Sequence, residues 1–156
     1  MIPLSILELG RVRQGFDRRT ALEDARTLAQ HAERLGYQRI WVAEHHNSPA
    51  VTTAATSVVL SHIAAGTSRI RIGAGGVMLP NHAPYVIAEQ FGTLETLYPG
   101  RVDLGLGRAP GTDQMTLRAL RRDFSSAENF PQDVLELQEF LASNGQAQRI
   151  EAVPGS

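Results

Sequence analysis

The stretch IRIGAGGVMLPNHAPYVIAEQFGTLETLYPGRVDLGLGRAPG, residues 70–111, decides the fold. Its first part, with Arg69 before it, is RIRIGAGGVML (69–79), a strand breaking up at Gly73, Gly75 and Gly76. A β-branched run bounded by turn formers reads as a strand. A helix is expected over 84–100, with Pro84 in its first turn, where the missing proline N–H is an orphan anyway. RVDLGLGRA, residues 101–109, reads as the next strand, again running into glycines. Strand, helix, strand in this order is a βα unit.

The same alternation extends outward. IPLSILEL (2–9) reads as a strand. TALEDARTLAQHAERLG (20–36) reads as a helix, with Thr20 and Glu23 at capping-box spacing and Gly36 as its stop. Leu22, Ala25, Leu28, Ala29, Ala32 and Leu35 recur at helical spacing along it. RIWVAE (39–44) reads as a strand apolar on both faces, as strands buried beneath helices are. SPAVTTAATSVVLSHIAAGT (48–67) reads as a helix between Pro49 and Gly66. Beyond residue 111 a short basic helix near 113–122, a turn at 123–131 and an amphipathic helix near 132–143 are expected. Val134, Leu137 and Leu141 share one face of that last helix.

Four strands, each followed by a helix, imply right-handed crossovers and a parallel sheet, hence an α/β fold. Two architectures fit: a small open doubly wound sheet, or half of a (β/α)8 barrel, since a whole barrel takes ~250 residues. In both, sites form at the carboxyl ends of the strands. Three groups fall there: Glu44-His45-His46, Gly75-Gly76, and Gly105 through Arg108.

His45 and His46 stand side by side in a chain with five histidines. Side chains alternate along a strand, so the two imidazoles point apart unless the strand has ended. No HExxH spacing is present, so metal binding is not expected. Two readings remain: histidines hydrogen-bonded at a strand end, or one imidazole working as acid, base or orienting donor near neutral pH. The glycines do not form a dinucleotide fingerprint, because Val77-Met78-Leu79 continue the strand and Pro80 and Pro84 delay the helix. Glycines at a strand end instead let a flat ligand lie on the backbone. Arg108 is a candidate partner for an anion, or a surface arginine. Glu89 and Gln90 read as a solvated helix face.

Composition narrows the function classes. The chain has 156 residues, 42% hydrophobic and 20% charged, enough for one core. Fifteen basic and 16 acidic residues give a net charge of −1, which leaves no basic stripe for nucleic acid or an anionic membrane. Cysteine is absent, so thiolate chemistry and disulfides are excluded. The first ten residues have no basic n-region, and no apolar run approaches the ~20 residues that span a bilayer. A soluble cytoplasmic protein is expected.

WVAEHHN (41–47), the 70–111 motif and the spacing between them resemble the bacterial-luciferase-like flavin-dependent monooxygenases. The resemblance covers residues 1–145 and implies a TIM barrel represented by its N-terminal half, about four βα units, followed by a polar truncated tail at 146–156. It implies reduced FMN as cofactor, with a deazaflavin as the alternative, and O2 acting on a small organic substrate. It implies that His45, with Glu44, is the catalytic pair managing protons at the flavin. It implies a non-prolyl cis peptide at Gly75-Gly76 beneath the flavin ring, with Gly107 and Arg108 also on the cofactor and Arg108 at its phosphate. Gly107 stands where light-emitting relatives have a reactive cysteine, which argues against bioluminescence. A flavin reductase partner, and a homo-oligomer formed through two open sheet edges, complete the expectations. A non-catalytic half-barrel that self-associates is the competing reading.

Overall fold

The computed structural model describes residues 2–142 and 150–155. Among these, four strands, β1 (Ser5–Glu8), β2 (Arg39–Val42), β3 (Arg71–Met78) and β4 (Val102–Gly107), form one sheet in the order β1-β2-β3-β4. All three pairings are parallel. A doubly wound sheet reverses its strand order at a switch point. Here the order is sequential throughout, so the open doubly wound alternative falls and the barrel segment stands. Strands β1 and β4 are the sheet's edges.

Between the strands lie α1 (Arg18–Arg34), α2 (Thr56–Ala64) and α3 (Pro84–Leu97); α4 (Gln114–Ala119) and α5 (Phe130–Leu141) follow β4. The core sits between the helices and one face of the sheet. Ala25, Ala29 and Ala32 of α1, Leu60 and Ile63 of α2, and Ile87, Ala88 and Phe91 of α3 close on Ile40, Val42, Ile72 and Ala74. The alanines of α1 let that helix lie close to the sheet. Leu137 of α5 is 1% exposed and joins the same core.

The opposite face of the sheet is polar and partly open. Arg39, Trp41, Arg71 and Asp103 share it. The Trp41 indole crosses β3 and donates from Nε1 to Asp103 Oδ2 at 3.2 Å. Gly73, paired with both Trp41 and Asp103, makes this crossing possible: a Cβ there would lie 2.7 Å from the indole nitrogen. Leu7 of the edge strand β1, in register with Trp41, is 55% exposed.

Several boundaries differ from expectation, each for a visible reason. Helix α1 begins at Arg18 rather than Thr20, because Asp17 is its cap and accepts from Thr20 N at 2.7 Å. Helix α2 begins at Thr56 rather than near Pro49. The threonines before it are bound elsewhere: Thr52 and Thr53 donate to the carbonyls of Gly10 and Leu9 at 3.0 and 3.2 Å. Strand β3 continues to Met78, but its pairing with β4 shifts register between Ala74 and Val77, at Gly75-Gly76, where the sequence breaks up the strand. Helix α5 runs Phe130–Leu141 rather than 132–143, because Ala142 is already extended. The expected boundary at 145/146 lies outside the described residues.

Candidate active site

The carboxyl ends of β2, β3 and β4 are tied together by side-chain and backbone hydrogen bonds. Strand β2 ends at Val42, so Glu44, His45 and His46 already belong to the loop. Glu44 turns inward and is 1% exposed. Its Oε2 accepts from the Met78 backbone N–H at 3.0 Å, which joins the β2 loop to the end of β3. Met78 in turn pairs with Gly107 at the end of β4.

The other carboxylate oxygen, Oε1, faces two imidazoles. His46 Nε2 lies 2.7 Å from it and His82 Nε2 lies 2.8 Å away. The two ring side chains are 15% and 26% exposed. Burial works against ionisation of Glu44, but the hydrogen bonds from His82 and His46 and the Met78 N–H outweigh it. The carboxyl is therefore held below its ordinary value.

His45 stands apart from this cluster and is exposed. The adjacent histidines thus do split, one bonded inward and one facing outward, as the loss of strand geometry after Val42 allows. Asn47, at φ +50°, donates from Nδ2 to Asp113 at 2.7 Å. That bond and those from Thr116 lower the Asp113 carboxyl to about 2. It links the β2 loop to the N-terminus of α4, and the His46 N–H to Gly111 carbonyl contact at 3.5 Å reinforces the link.

Sequence reasoning does not single out His82. It lies 38 residues from Glu44, just past the 3-10 turn Leu79–Asn81 that follows β3. Its signal is the PNH sequence that delays α3, since a turn at a strand end carries side chains into the strand-end site. Glu44, His46 and His82 each place a potential ligand atom within 4.8 Å of the others, so a third donor does stand beside the pair visible in the sequence. Gln90 is not simply solvated: its Oε1 accepts from Ser57 Oγ at 2.8 Å and joins α3 to α2.

The peptide bond between Gly75 and Gly76 is cis. A Cβ on Gly75 would lie 2.8 Å from the Trp41 ring, and one on Gly76 would lie 2.9 Å from the Gly105 carbonyl oxygen. A Cβ on Gly107 would lie 2.8 Å from Met78 Sδ. These glycines therefore let neighbouring groups pack directly on the strand backbone: the Trp41 ring on Gly75, the β4 backbone on Gly76 and the Met78 side chain on Gly107. Arg108 is exposed, and its Nε donates to the Ala127 carbonyl at 3.1 Å. The residues present fit a flat, anionic cofactor in kind: glycine backbone in β3 and β4, an exposed arginine directly after β4, and a histidine cluster held by Glu44 where β2 and β3 end.

The luciferase-like monooxygenase family model matches residues 2–144. A luciferase-like monooxygenase of Escherichia coli K12 is 52% identical over 155 residues, covering 99% of this chain and 46% of the relative. An N-acetyl-S-alkylcysteine monooxygenase of Bacillus subtilis 168 is 42% identical over 142 residues, covering 90% of this chain and 42% of the relative. The chain spans about half the length of these relatives. Among solved structures, apo-MsnO8 superposes with a TM-score of 0.91 at 36% identity, covering 100% of this chain and 46% of that one. The fold alone is shared with two more distant structures. One is the oxygenating constituent of 3,6-diketocamphane monooxygenase in complex with FMN, from Pseudomonas putida, at TM-score 0.74, 19% identity and 90% and 38% coverage. The other is an F420-dependent secondary alcohol dehydrogenase, at TM-score 0.65, 20% identity and 92% and 43% coverage. With four sequential parallel βα units and a family match over nearly the whole chain, this protein belongs to the luciferase-like monooxygenase family.

Proposed function

We propose that the chain carries the flavin-side half of an FMN-dependent monooxygenase that acts on a small organic substrate with O2. The observation that supports this most is that the Gly75-Gly76 backbone, Arg108 and a histidine cluster held by Glu44 all fall toward the carboxyl ends of β2, β3 and β4. Reduced FMN, when bound, supplies the electrons for activating O2. The protein's part is positional. Gly75, Gly76 and Gly107 are the residues whose backbone would support the ring. Arg108 is the residue that would hold the phosphate through its guanidinium. His45, exposed at the loop tip, exchanges protons with the reacting groups, and Glu44 belongs to the same proton-handling set.

A deazaflavin is the second reading, favoured by the fold shared with an F420-dependent dehydrogenase. It would turn the same site to hydride transfer. A separate flavin reductase is the partner that the FMN reading calls for. Among the described residues no helix is long and apolar enough to cross a membrane. We assign the protein to the cytoplasm, without a nucleic-acid partner, and as a homo-oligomer through the edges β1 and β4.

The test is oxygen consumption with chemically reduced FMN and with reduced deazaflavin, each with an added aldehyde or thioether. Substrate-dependent oxygen uptake with FMN supports the reading. Hydride transfer with the deazaflavin alone, and no oxygen uptake, overturns it in favour of the second.

A further inference from the structure

The arrangement around Glu44 carries a consequence for the two histidines that touch it. An ionised carboxylate only accepts hydrogen bonds, whereas a neutral imidazole has one donor and one acceptor nitrogen. Both Nε2 atoms converge on the single oxygen Oε1, at 2.7 Å for His46 and 2.8 Å for His82. A hydroxyl hydrogen on that oxygen could serve only one ring. The second oxygen is taken by the Met78 N–H at 3.0 Å. At 1% exposure, water does not compete for the carboxylate. The arrangement is satisfied at every contact when Glu44 is an anion and both rings carry hydrogen at Nε2.

We propose that Glu44 is a positioning residue that holds His46 and His82 as a coupled pair of Nε2–H donors, which leaves Nδ1 of each neutral ring as its acceptor nitrogen. A group that met either ring at Nδ1 would have to offer an N–H or O–H. The pair spans two elements, the loop after β2 and the turn after β3, so one carboxylate sets the orientation of side chains 36 residues apart in sequence (46 to 82). The proposal deepens the site assigned above, yet the protonation pattern holds whether or not the ligand is a flavin.

The competing use of these atoms is a metal site, since two histidines and one carboxylate are a common transition-metal donor set. A metal needs the Nε2 lone pairs that these hydrogen bonds replace with N–H groups, so the two uses exclude each other.

The experiment is long-range 1H–15N NMR of the chain labelled at histidine, at about pH 8, above the ordinary imidazole value of ~6.5. Single substitutions assign the five rings. His46 and His82 are expected to show hydrogen at Nε2, with ring protons slowed in exchange. E44Q is expected to move both ring signals together and H45Q to move neither. If E44Q does not fold, H46Q takes its place and is expected to shift the His82 ring proton through the shared oxygen. One equivalent of zinc is expected to leave both signals unchanged. A ring protonated only at Nδ1, a substitution at Glu44 that moves one ring alone, a silent His82 in H46Q, or loss of both ring protons with zinc would each overturn the proposal. The spectra are recorded without flavin, so a failure of FMN binding does not affect what they show about the rings.

Discussion

Glu44 Oε1 and His82 Nε2 lie 2.8 Å apart although 38 residues separate them in the chain. One belongs to the loop after β2 and the other to the turn after β3. Their contact fixes the two strand ends relative to one another at the place where the family's chemistry is expected. His46 shares the same oxygen, while His45 next to it remains exposed and unconstrained by the carboxylate. The site thus separates one outward-facing imidazole from two anchored ones.

That separation predicts a division in mutant behaviour. H45A should lower flavin-dependent turnover by about 100-fold or more, the usual scale for a lost general acid or base. Its thermal midpoint should stay within about a degree or two, because an exposed side chain with few contacts contributes little to stability. H82A should lower the midpoint as well as the rate. Paired melting curves and turnover assays check both. Equal loss of stability in the two variants would contradict the division.

The Trp41–Asp103 bond predicts an intolerance at Gly73. In G73A the new Cβ would stand 2.7 Å from both the indole nitrogen and Asp103 Cβ, and 2.8 Å from a β4 carbonyl oxygen. Backbone cannot yield as a flexible side chain can, so the cost should be about 1–3 kcal/mol. W41F removes the indole donor and part of the ring that packs on Gly75 and under Arg39, and should cost about 1–2 kcal/mol. Urea unfolding of both variants tests the order; a W41F cost exceeding that of G73A would contradict it.

Two carboxyls, the buried Glu44 and the partly buried Asp103, set the acid limit of stability. Burial opposes ionisation of Asp103, but Arg71, Trp41 and Arg39 outweigh it and lower its value, as the histidines do for Glu44. A carboxyl depressed in the folded state adds stability that is fully present above its unfolded value. Those ordinary values are 4.5 for Glu44 and 3.8 for Asp103. Stability contributed by these groups should therefore hold above about pH 5 and be lost as pH falls below 4.5 and through the lower folded values. Urea midpoints from about pH 7 down to about pH 3 measure this. In E44Q the Glu44 share of the slope should vanish; an unchanged slope would contradict its assignment.

The edges β1 and β4 have no strand beyond them among the described residues, and Ile2, Leu4 and Leu7 near the β1 edge are 82%, 53% and 55% exposed. Unpaired parallel edges with apolar side chains recruit further strands. Sedimentation velocity should show dimers or larger species at micromolar concentration. A monomer across the whole range would contradict the oligomer.

Much of this fold is legible in the sequence, because βα repetition is written in hydrophobic period and punctuation. The strands and helices of the βα units lie where apolar runs, Pro84 and Gly36 place them. The cis peptide at Gly75-Gly76 agrees with what the family resemblance implies. What the sequence hides is long-range. Local spacing favours Thr20 as a cap, yet Asp17 accepts from its N–H and takes that place. Helix α2 looks longer than it is because Thr52 and Thr53 commit their hydroxyls to the carbonyls of Gly10 and Leu9, far back in the chain. His82 reads as a loop residue until β2 and β3 lie side by side. Pairings between distant loops depend on the tertiary fold and leave no local period.

Titration of FMN into the purified chain, followed by flavin fluorescence with R108A alongside, decides whether this strand-end surface holds the cofactor. Saturable quenching at micromolar concentrations, weakened about 10-fold or more in R108A, is the predicted result. A folded chain that leaves flavin fluorescence unchanged, or one whose binding is indifferent to Arg108, would contradict the assignment of this surface as the cofactor site.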